Sequence, residues 1–462
     1  MKKVDSNINQ QTQKSSSAAS ETEEQIVVMG GVHLQGEVQV AGSKNSSLPI
    51  LAASLLAARG QSVLHNVPEI SDVEIMCKMI ASLGAQVSRE GHTVIIDASN
   101  LQTAVAPEQY VRQMRASFYV AAPLLARLRS AEVPMPGGCV LGARPIDYHV
   151  NAFRKMGAHI NVERGAMLAK ADRWEGAYIL LDHKNSSVGA TVNIMMAACL
   201  AKGTTTIDNA AREPEVTNLA DFLNKMGGKV SGAGTSTIKI EGVQELHGAE
   251  QHIFNDRIEA GTFVAAAVAT RSDVTIRGLS PYHLPVFLDK YQEAGVAIST
   301  GEDWIRVQAK APYSGVDVST SPFPGFATDL QPLFIATMCL AEGKSVIQET
   351  IYDGRFNYVP EMLRMGANIN ISENTAIVHG VPRLSAAQVK SSDLRAGAAL
   401  VIAGLAAEGR TEISNVKYID RGYENLTDKL HALGAQIARQ KVPVPISSED
   451  SSLLAQRNAV GQ

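Results

Sequence analysis

Along this 462-residue chain the hydrophobic and polar positions fall into one arrangement that recurs six times. Each unit carries an amphipathic helical segment that ends in a hydrophobic-Gly-small triplet and runs into a short alternating strand. These segments span 79–85, 153–158, 222–228, 287–296, 362–367 and 430–435, with marker glycines at 84, 157, 227, 295, 366 and 434. Glycine after a last helical turn predicts a left-handed cap, because it enters that conformation at little steric cost. A second helix type alternates with the first and is small and almost wholly apolar, over 48–58, 118–128, 192–201, 263–270, 333–341 and 398–407. An apolar helix belongs inside and an amphipathic one at the surface. The pattern therefore predicts an α/β protein of six βαβαββ-type repeats, three to each globular half, with buried helices and outer sheets, the reverse of the usual layering.

Length agrees with at least two cores. Hydrophobic content of 45% with only 5% aromatics predicts packing by Ala, Val, Ile and Leu. A net charge of −4 gives no general attraction to nucleic acid, so an anionic ligand needs local clusters of Arg and Lys. The cysteines at 77, 139, 199 and 339 form no Cys-x-x-Cys pair, which speaks against a disulfide framework or zinc site and for a reducing compartment. No apolar run reaches membrane-spanning length; the nearest is 396–407. Residues 1–24 and 442–462 are polar and are expected to be disordered tails. Gly232-Ala-Gly234 marks a hairpin turn, and neither a nucleotide-binding glycine fingerprint nor a His-Glu-x-x-His cluster is present.

One stretch, 134–149, concentrates reactive chemistry. Cys139 follows Gly137 and Gly138 and precedes Gly142 and Arg144, a loop composition. A thiol beside a guanidinium loses its proton more readily, and Pro145 holds Arg144 extended. A glycine turn with a cysteine serving as a small hydrophobe is the plainer alternative. Lys44 and Asn45 precede an apolar helix, where free N–H groups favour an anion, or where Ser-Lys-Asn is simply a cap. Asp329 precedes another apolar helix and is either a reacting carboxylate or a helix N-terminal one.

These stretches, with Gly42–Asn45, Asn209–Glu215, Asp256–Thr262, Thr328–Gln331, Asp393–Gly397 and Ile419–Glu424, closely resemble the UDP-N-acetylglucosamine 1-carboxyvinyltransferases, over roughly residues 25–440. The resemblance implies two inside-out α/β domains, one of 44–252 and one of 25–43 plus 253–441. It implies transfer of the enolpyruvyl group of phosphoenolpyruvate to the 3-hydroxyl of UDP-N-acetylglucosamine, with loss of phosphate through a tetrahedral intermediate, as the first committed step toward peptidoglycan. No cofactor, metal, nucleic acid or membrane is implied, and a cytoplasmic monomer or weak homo-oligomer is expected.

By the same resemblance Lys44, Arg144 and Arg421 hold the phosphate, with Asn45 beside them, and Arg355 and Arg395 face the carboxylate. Asp329 is similar to the base for the sugar hydroxyl. Cys139 is similar to the proton donor, and to the thiol that an epoxide antibiotic of the fosfomycin type alkylates. The nucleotide sugar is expected at Arg115, Arg144, Pro145, Ile146, Asp147, Tyr148, Lys184, Ser187, Val188, Gly189, Asp329 and Ile351. Arg212, Glu213 and Glu215 are expected to brace the site through ion pairs, and Asp256, Arg257 and Glu259 to make interdomain contacts. The chain departs from the family pattern at Tyr418, Ala327, Asp353-Gly354 and in a turn at 182–189 that is two residues longer, all beside the charged positions. The shikimate-pathway relative lacks the Pro-Gly-Gly-Cys loop and the Asn-Ala-Ala-Arg-Glu-Pro-Glu run. A non-catalytic nucleotide-sugar-binding paralogue would be expected to lose a charged position, and here all are intact.

Overall fold

The computed structural model describes residues 22–135, 146–181, 186–310 and 312–443. All six apolar segments are helical: Lys44–Ala53, Ala121–Leu128, Val188–Ala198, Arg257–Ala269, Gln331–Met338 and Leu394–Ala406. Four begin ahead of their apolar runs because a polar side chain caps the first turn. Ser43 accepts from the N–H of Ser46 and Ser187 from Ala190; Asp256 accepts from Ile258 and Glu259, and Asp393 from Arg395 and Ala396. The expectation of helix through residue 58 was too long. A 3-10 turn at Ser54–Leu56 gives way to a strand, Ala57–Arg59, that pairs with Leu246–His247.

Six sheets of three or four strands carry the rest, beside the small two-stranded pairing just named. Thr22–Met29 lies between Arg410–Ser414 and Gln436–Pro443, antiparallel to both. This corrects the expected tails: Thr22–Glu24 pair with Lys441–Pro443, so three residues assigned to the first tail and two assigned to the second are strand. The polar Thr-Glu-Glu lies at the outer end of that strand, where its side chains stay accessible and give no apolar signal.

Buried apolar side chains divide into two separate clusters. One joins Ile26–Val40 to residues 258–437, and the other runs from Leu48 to Ile253. In the first, the helices Arg257–Ala269, Gln331–Met338 and Leu394–Ala406 each pack on the other two. In the second, Val188–Ala198 packs on both Lys44–Ala53 and Ala121–Leu128. The marker glycines at 84, 157, 227, 295, 366 and 434 all have φ between 84° and 110°, as their C-cap role requires. Among the described residues no helix is long and apolar enough to cross a membrane.

Candidate active site

Lys44 occupies the first turn of its helix where the chain passes from one core to the other. Asp256 fastens this point. Its Oδ1 caps the Arg257–Ala269 helix, while its Oδ2 accepts from the backbone N–H of Lys44 at 3.1 Å. The Lys44 Nζ lies 2.9 Å from Asp72 Oδ2. Asp72 is 1% exposed in the first turn of the Ser71–Ser82 helix, and it also accepts from Arg421 Nε at 2.9 Å and Nη2 at 3.3 Å. Burial lowers the Lys44 pKa; Asp72 pulls it back up, while Arg421 and Arg395 push it down. Gly422 permits this close approach. A Cβ there would stand 2.7 Å from a Leu394 methyl and 3.0 Å from Lys44 Cδ.

A second carboxylate collects the other two cations. Asp329, in the 3-10 turn Thr328–Leu330, accepts from Arg355 Nη2 at 2.8 Å and from Arg395 Nη2 at 3.3 Å. Arg395 enters from the capped first turn of Leu394–Ala406, with its guanidinium 5.3 Å from the centre of the Tyr423 ring. Arg355 also donates to Thr328 Oγ1 at 2.8 Å. Behind it, buried Glu349 accepts from Thr320, Thr328, Ile351 and Tyr352 and so fixes the turn that carries Ile351. Both arginines are nearly inaccessible, at 4% and 2%. Burial alone would discourage their charge. Asp329 outweighs it at Arg355, and Tyr423 with Asp329 at Arg395, so both pKa values lie above the ordinary value. The Nε of Arg355 and the Nε and Nη1 of Arg395 are buried without a hydrogen bond to a described residue. Such donors cost roughly 1–3 kcal/mol each when left unmade.

Three segments expected to hold the nucleotide sugar come together. Arg115 opens the 3-10 turn Arg115–Val120, Asp147 opens the Asp147–Lys155 helix, and the Ser187 hydroxyl caps Val188–Ala198. His149 locks them. Its Nδ1 lies 2.9 Å from Asn193 Nδ2, its ring meets Phe118 edge-on at 5.2 Å, and a Cβ at Gly189 would lie 3.7 Å from it. Burial first, and Arg115 second, push its pKa down to about 3, so the ring is neutral and structural. Tyr148 lines a cavity of about 470 Å³ with Asn151, Lys155 and Ile179–Leu181, while Ile146 is buried. Cys139, Arg144, Pro145 and Lys184 lie outside the described residues.

Residues 28–430 match the family model of EPSP synthase (3-phosphoshikimate 1-carboxyvinyltransferase). A relative from Desulfatibacillum aliphaticivorans named UDP-N-acetylglucosamine 1-carboxyvinyltransferase is 50% identical over 418 residues, covering 90% of this chain and 100% of its own. The chain belongs to the UDP-N-acetylglucosamine 1-carboxyvinyltransferase family. It is a transferase of the enolpyruvyl class. UDP-N-acetylglucosamine 1-carboxyvinyltransferase 2 of Symbiobacterium thermophilum is 48% identical, over 92% of this chain and 99% of its own. Among solved structures, the enolpyruvyl transferase NikO from Streptomyces tendae aligns with a TM-score of 0.83 at 24% identity, over 92% of this chain and 100% of its own. EPSP synthase from Acinetobacter baumannii aligns at 0.71 and 18% identity, over 90% and 100%. At those identities the two structures speak for the fold alone.

Within this carboxyvinyltransferase chain, Lys44 and Arg421 meet on Asp72 while Arg355 and Arg395 meet on Asp329, and Arg395 is near enough to Lys44 to push its pKa down. Asn45 is half-buried beside Lys44. Glu215 pairs with Arg257 at 2.9 Å and Glu213 accepts from the Phe323 N–H at 3.5 Å, whereas exposed Arg212 has no ion pair among the described residues. Glu259 needs correction as an interdomain contact. It accepts from the Ala41 N–H at 2.7 Å and pairs with Lys429 at 2.6 Å, and both belong to its own side of the molecule. Asp72 and Glu349 were missed. A signal for Asp72 existed: it shares the buried stripe of its helix with Val73, Met76, Met79 and Ile80, where a carboxylate must find a partner. The larger cavity, about 960 Å³ beside Glu69, Arg89, Asp428 and Arg439, has none of the predicted site residues in its lining.

Proposed function

We propose that this chain transfers the enolpyruvyl group of phosphoenolpyruvate to the 3-hydroxyl of UDP-N-acetylglucosamine, the step that opens peptidoglycan precursor synthesis. The observation that carries this reading is the meeting of four cations, Lys44, Arg355, Arg395 and Arg421, around two carboxylates, with buried guanidinium donors left over. A small donor bearing both a phosphate and a carboxylate matches that set, and planar guanidinium forks suit both groups. Lys44 and Arg421, with Arg144, take the phosphate; Arg355 and Arg395 take the carboxylate. As the substrate carboxylate draws the two arginines to itself, Asp329 is released to accept the proton of the attacking hydroxyl. The sugar oxygen bonds to C2 of phosphoenolpyruvate while Cys139 gives a proton to the methylene carbon. Elimination then returns a proton from the new methyl group to the protein, the double bond re-forms, and the C–O bond to phosphate breaks. Ile351, Ser187–Gly189 and the 144–148 segment orient the nucleotide sugar, together with Arg115 and Lys184.

The two separate cores accord with the expected boundary at 43/44, whereas the second falls after Ile253, which packs in the 48–253 core, rather than at 252/253. On this reading the reaction lies between the halves, where closure would exclude water from the intermediate. A cytoplasmic location accords with a substrate set of soluble metabolites. Phosphate release measured with phosphoenolpyruvate and UDP-N-acetylglucosamine is the direct test, with shikimate 3-phosphate as the second arm. Release with the first acceptor alone is expected; release with the second, or with neither, overturns the reading. Alkylation by a fosfomycin-type epoxide should map to Cys139 alone. Burial pushes Cys77 up to about 11 and Cys199 and Cys339 up to about 12, which leaves those thiols protonated. Modified peptides containing any of those three would contradict the assignment.

A further inference from the structure

Asp72 has no place in the reaction just described, yet it is the most deeply buried acid in the cation group and touches cations from both cores. Lys44 reaches its Oδ2 at 2.9 Å, and Arg421 straddles both oxygens at 2.9 and 3.3 Å. The three residues come from remote stretches; Asp72 and Arg421 are 349 positions apart. Without an anion between them, two cations brought this close repel. We propose that Asp72 is the positioning carboxylate of the phosphate subsite, drawing Lys44 from one half and Arg421 from the other into the spacing a phosphate needs.

Several features support this role. Asp72 is 1% exposed, whereas the Lys44 and Arg421 side chains keep 12% and 19% exposure, so the acid lies deeper than either cation it holds. The helix start that carries Asp72 is itself tied to the segment that carries Arg421. The Glu69 N–H donates to Glu424 at 2.7 Å, and Ser71 Oγ donates to the Asp420 carbonyl at 3.4 Å. The charged groups acting on Lys44 are Asp72, Arg421 and Arg395, and of these only Asp72 favours its protonated form. Removing the Asp72 charge therefore loosens Arg421 and lowers the Lys44 pKa further.

The inference rests on the reaction proposed above, and its test separates the two. Asp72→Asn, Asp72→Glu, Arg421→Ala and the Asp72→Asn/Arg421→Ala double variant are compared with the full-length protein. The readouts are turnover, calorimetric binding of phosphoenolpyruvate in the presence of UDP-N-acetylglucosamine and of inorganic phosphate alone, and thermal melting. In Asp72→Asn, affinity for phosphoenolpyruvate and phosphate falls by about a hundredfold, within the range for losing one partner of a buried, hydrogen-bonded charge pair. The alkaline limb of the binding profile moves to lower pH as Lys44 loses its proton sooner. Asp72→Glu keeps that limb near its original place, and the double variant is little worse than Arg421→Ala. A purely structural role would lower melting and leave the alkaline limb where it was. Unchanged or tighter binding in Asp72→Asn, or independent addition of the two substitutions, overturns the inference, tighter binding meaning that Asp72 merely occupies the phosphate position. If the parent protein binds phosphate in an Asp72-dependent way without turnover, the reaction reading fails alone. If it binds neither anion, both fail. Should Asp72→Asn not fold, Asp72→Glu and Arg421→Ala still decide through the alkaline limb, which an Asp72-held Lys44 keeps in the former and which shifts upward in the latter as a neighbouring cation is removed.

Discussion

At the scale of single residues, the site assigns opposite tasks to carboxylates that look alike in sequence. Asp329 faces Arg355 and Arg395 and is 28% exposed in its side chain, whereas Asp72 is sealed. An acid that must exchange a proton with substrate needs that access; one that only holds cations does not. Asp329→Asn should therefore lower kcat by about a hundredfold or more while changing the affinity for either substrate little, because a base acts chiefly in the transition state. Steady-state kinetics with each substrate varied checks this, and an effect confined to KM would make Asp329 a binding residue. Lys44, Arg395 and Arg421 were readable as candidates because each stands in a short motif of the family resemblance, whereas Arg355 follows Asp353-Gly354, where the chain departs from that pattern. Asp72 was legible only as an acid on the apolar stripe of its helix, not as a site residue, and Glu349 not at all. Their importance comes from burial against segments distant in the chain, and a lone acid at a helix start or strand end has commoner explanations.

Elements were more legible than residues. The alternation of apolar and amphipathic helices with glycine stops is a local signal, and all six marker glycines take the left-handed backbone that it predicts. Helix starts were read late because Ser43, Ser187, Asp256 and Asp393 look polar and loop-like until their cap bonds are seen. The six glycines are not equivalent, though. A Cβ at Gly84 would stand 2.7 Å from the Gln102 nitrogen and 2.8 Å from the Asn100 oxygen, while at Gly295 it would meet nothing within 4 Å. Gly295→Ala should cost only the left-handed strain, about 1–2 kcal/mol, and Gly84→Ala clearly more, by chemical denaturation of each variant; equal costs would mean the Asn100–Gln102 segment yields freely. The crossing at residues 41–44 supplies a pH-dependent case. Burial raises the carboxyl pKa of Glu259 to about 7 against the pull of Lys429 and the Ala41 N–H. A raised carboxyl makes the folded state hold the extra proton. Its contribution is then full below the unfolded value of about 4.5 and fades as pH rises through about 7. Between pH 4.5 and 7.5 the melting temperature of the parent should fall relative to Glu259→Gln, and parallel curves would show that Glu259 is ionised throughout.

At the scale of the whole molecule, the question is what sets one core against the other. Among the described residues, and away from the chain crossings at 41–44 and 252–256, polar contacts join them on two lines. Asp72–Arg421 and His92–Glu424 form one, and Glu215–Arg257 with Glu213 on the Phe323 N–H forms the other. Glu215 and Arg257 are buried, at 5% and 7%, and Arg257 stands one residue from Asp256, which holds the Lys44 backbone. Breaking one side of such a pair strands a charge, at a cost of about 3–5 kcal/mol, whereas replacing both by apolar residues is often neutral or stabilising. Glu215→Gln should therefore lower the melting temperature sharply, and Glu215→Leu/Arg257→Met should recover most of it. The double variant separates packing from direction. An apolar contact restores buried area but sets no fixed distance between the two helices, so the cations of one half lose their spacing from those of the other. The expected result is a recovered melt together with a phosphoenolpyruvate KM raised roughly tenfold, the smaller end of what misplacement costs. Recovery of both would show that the ion pair serves stability only, and that the line through Asp72 and Arg421 registers the halves alone.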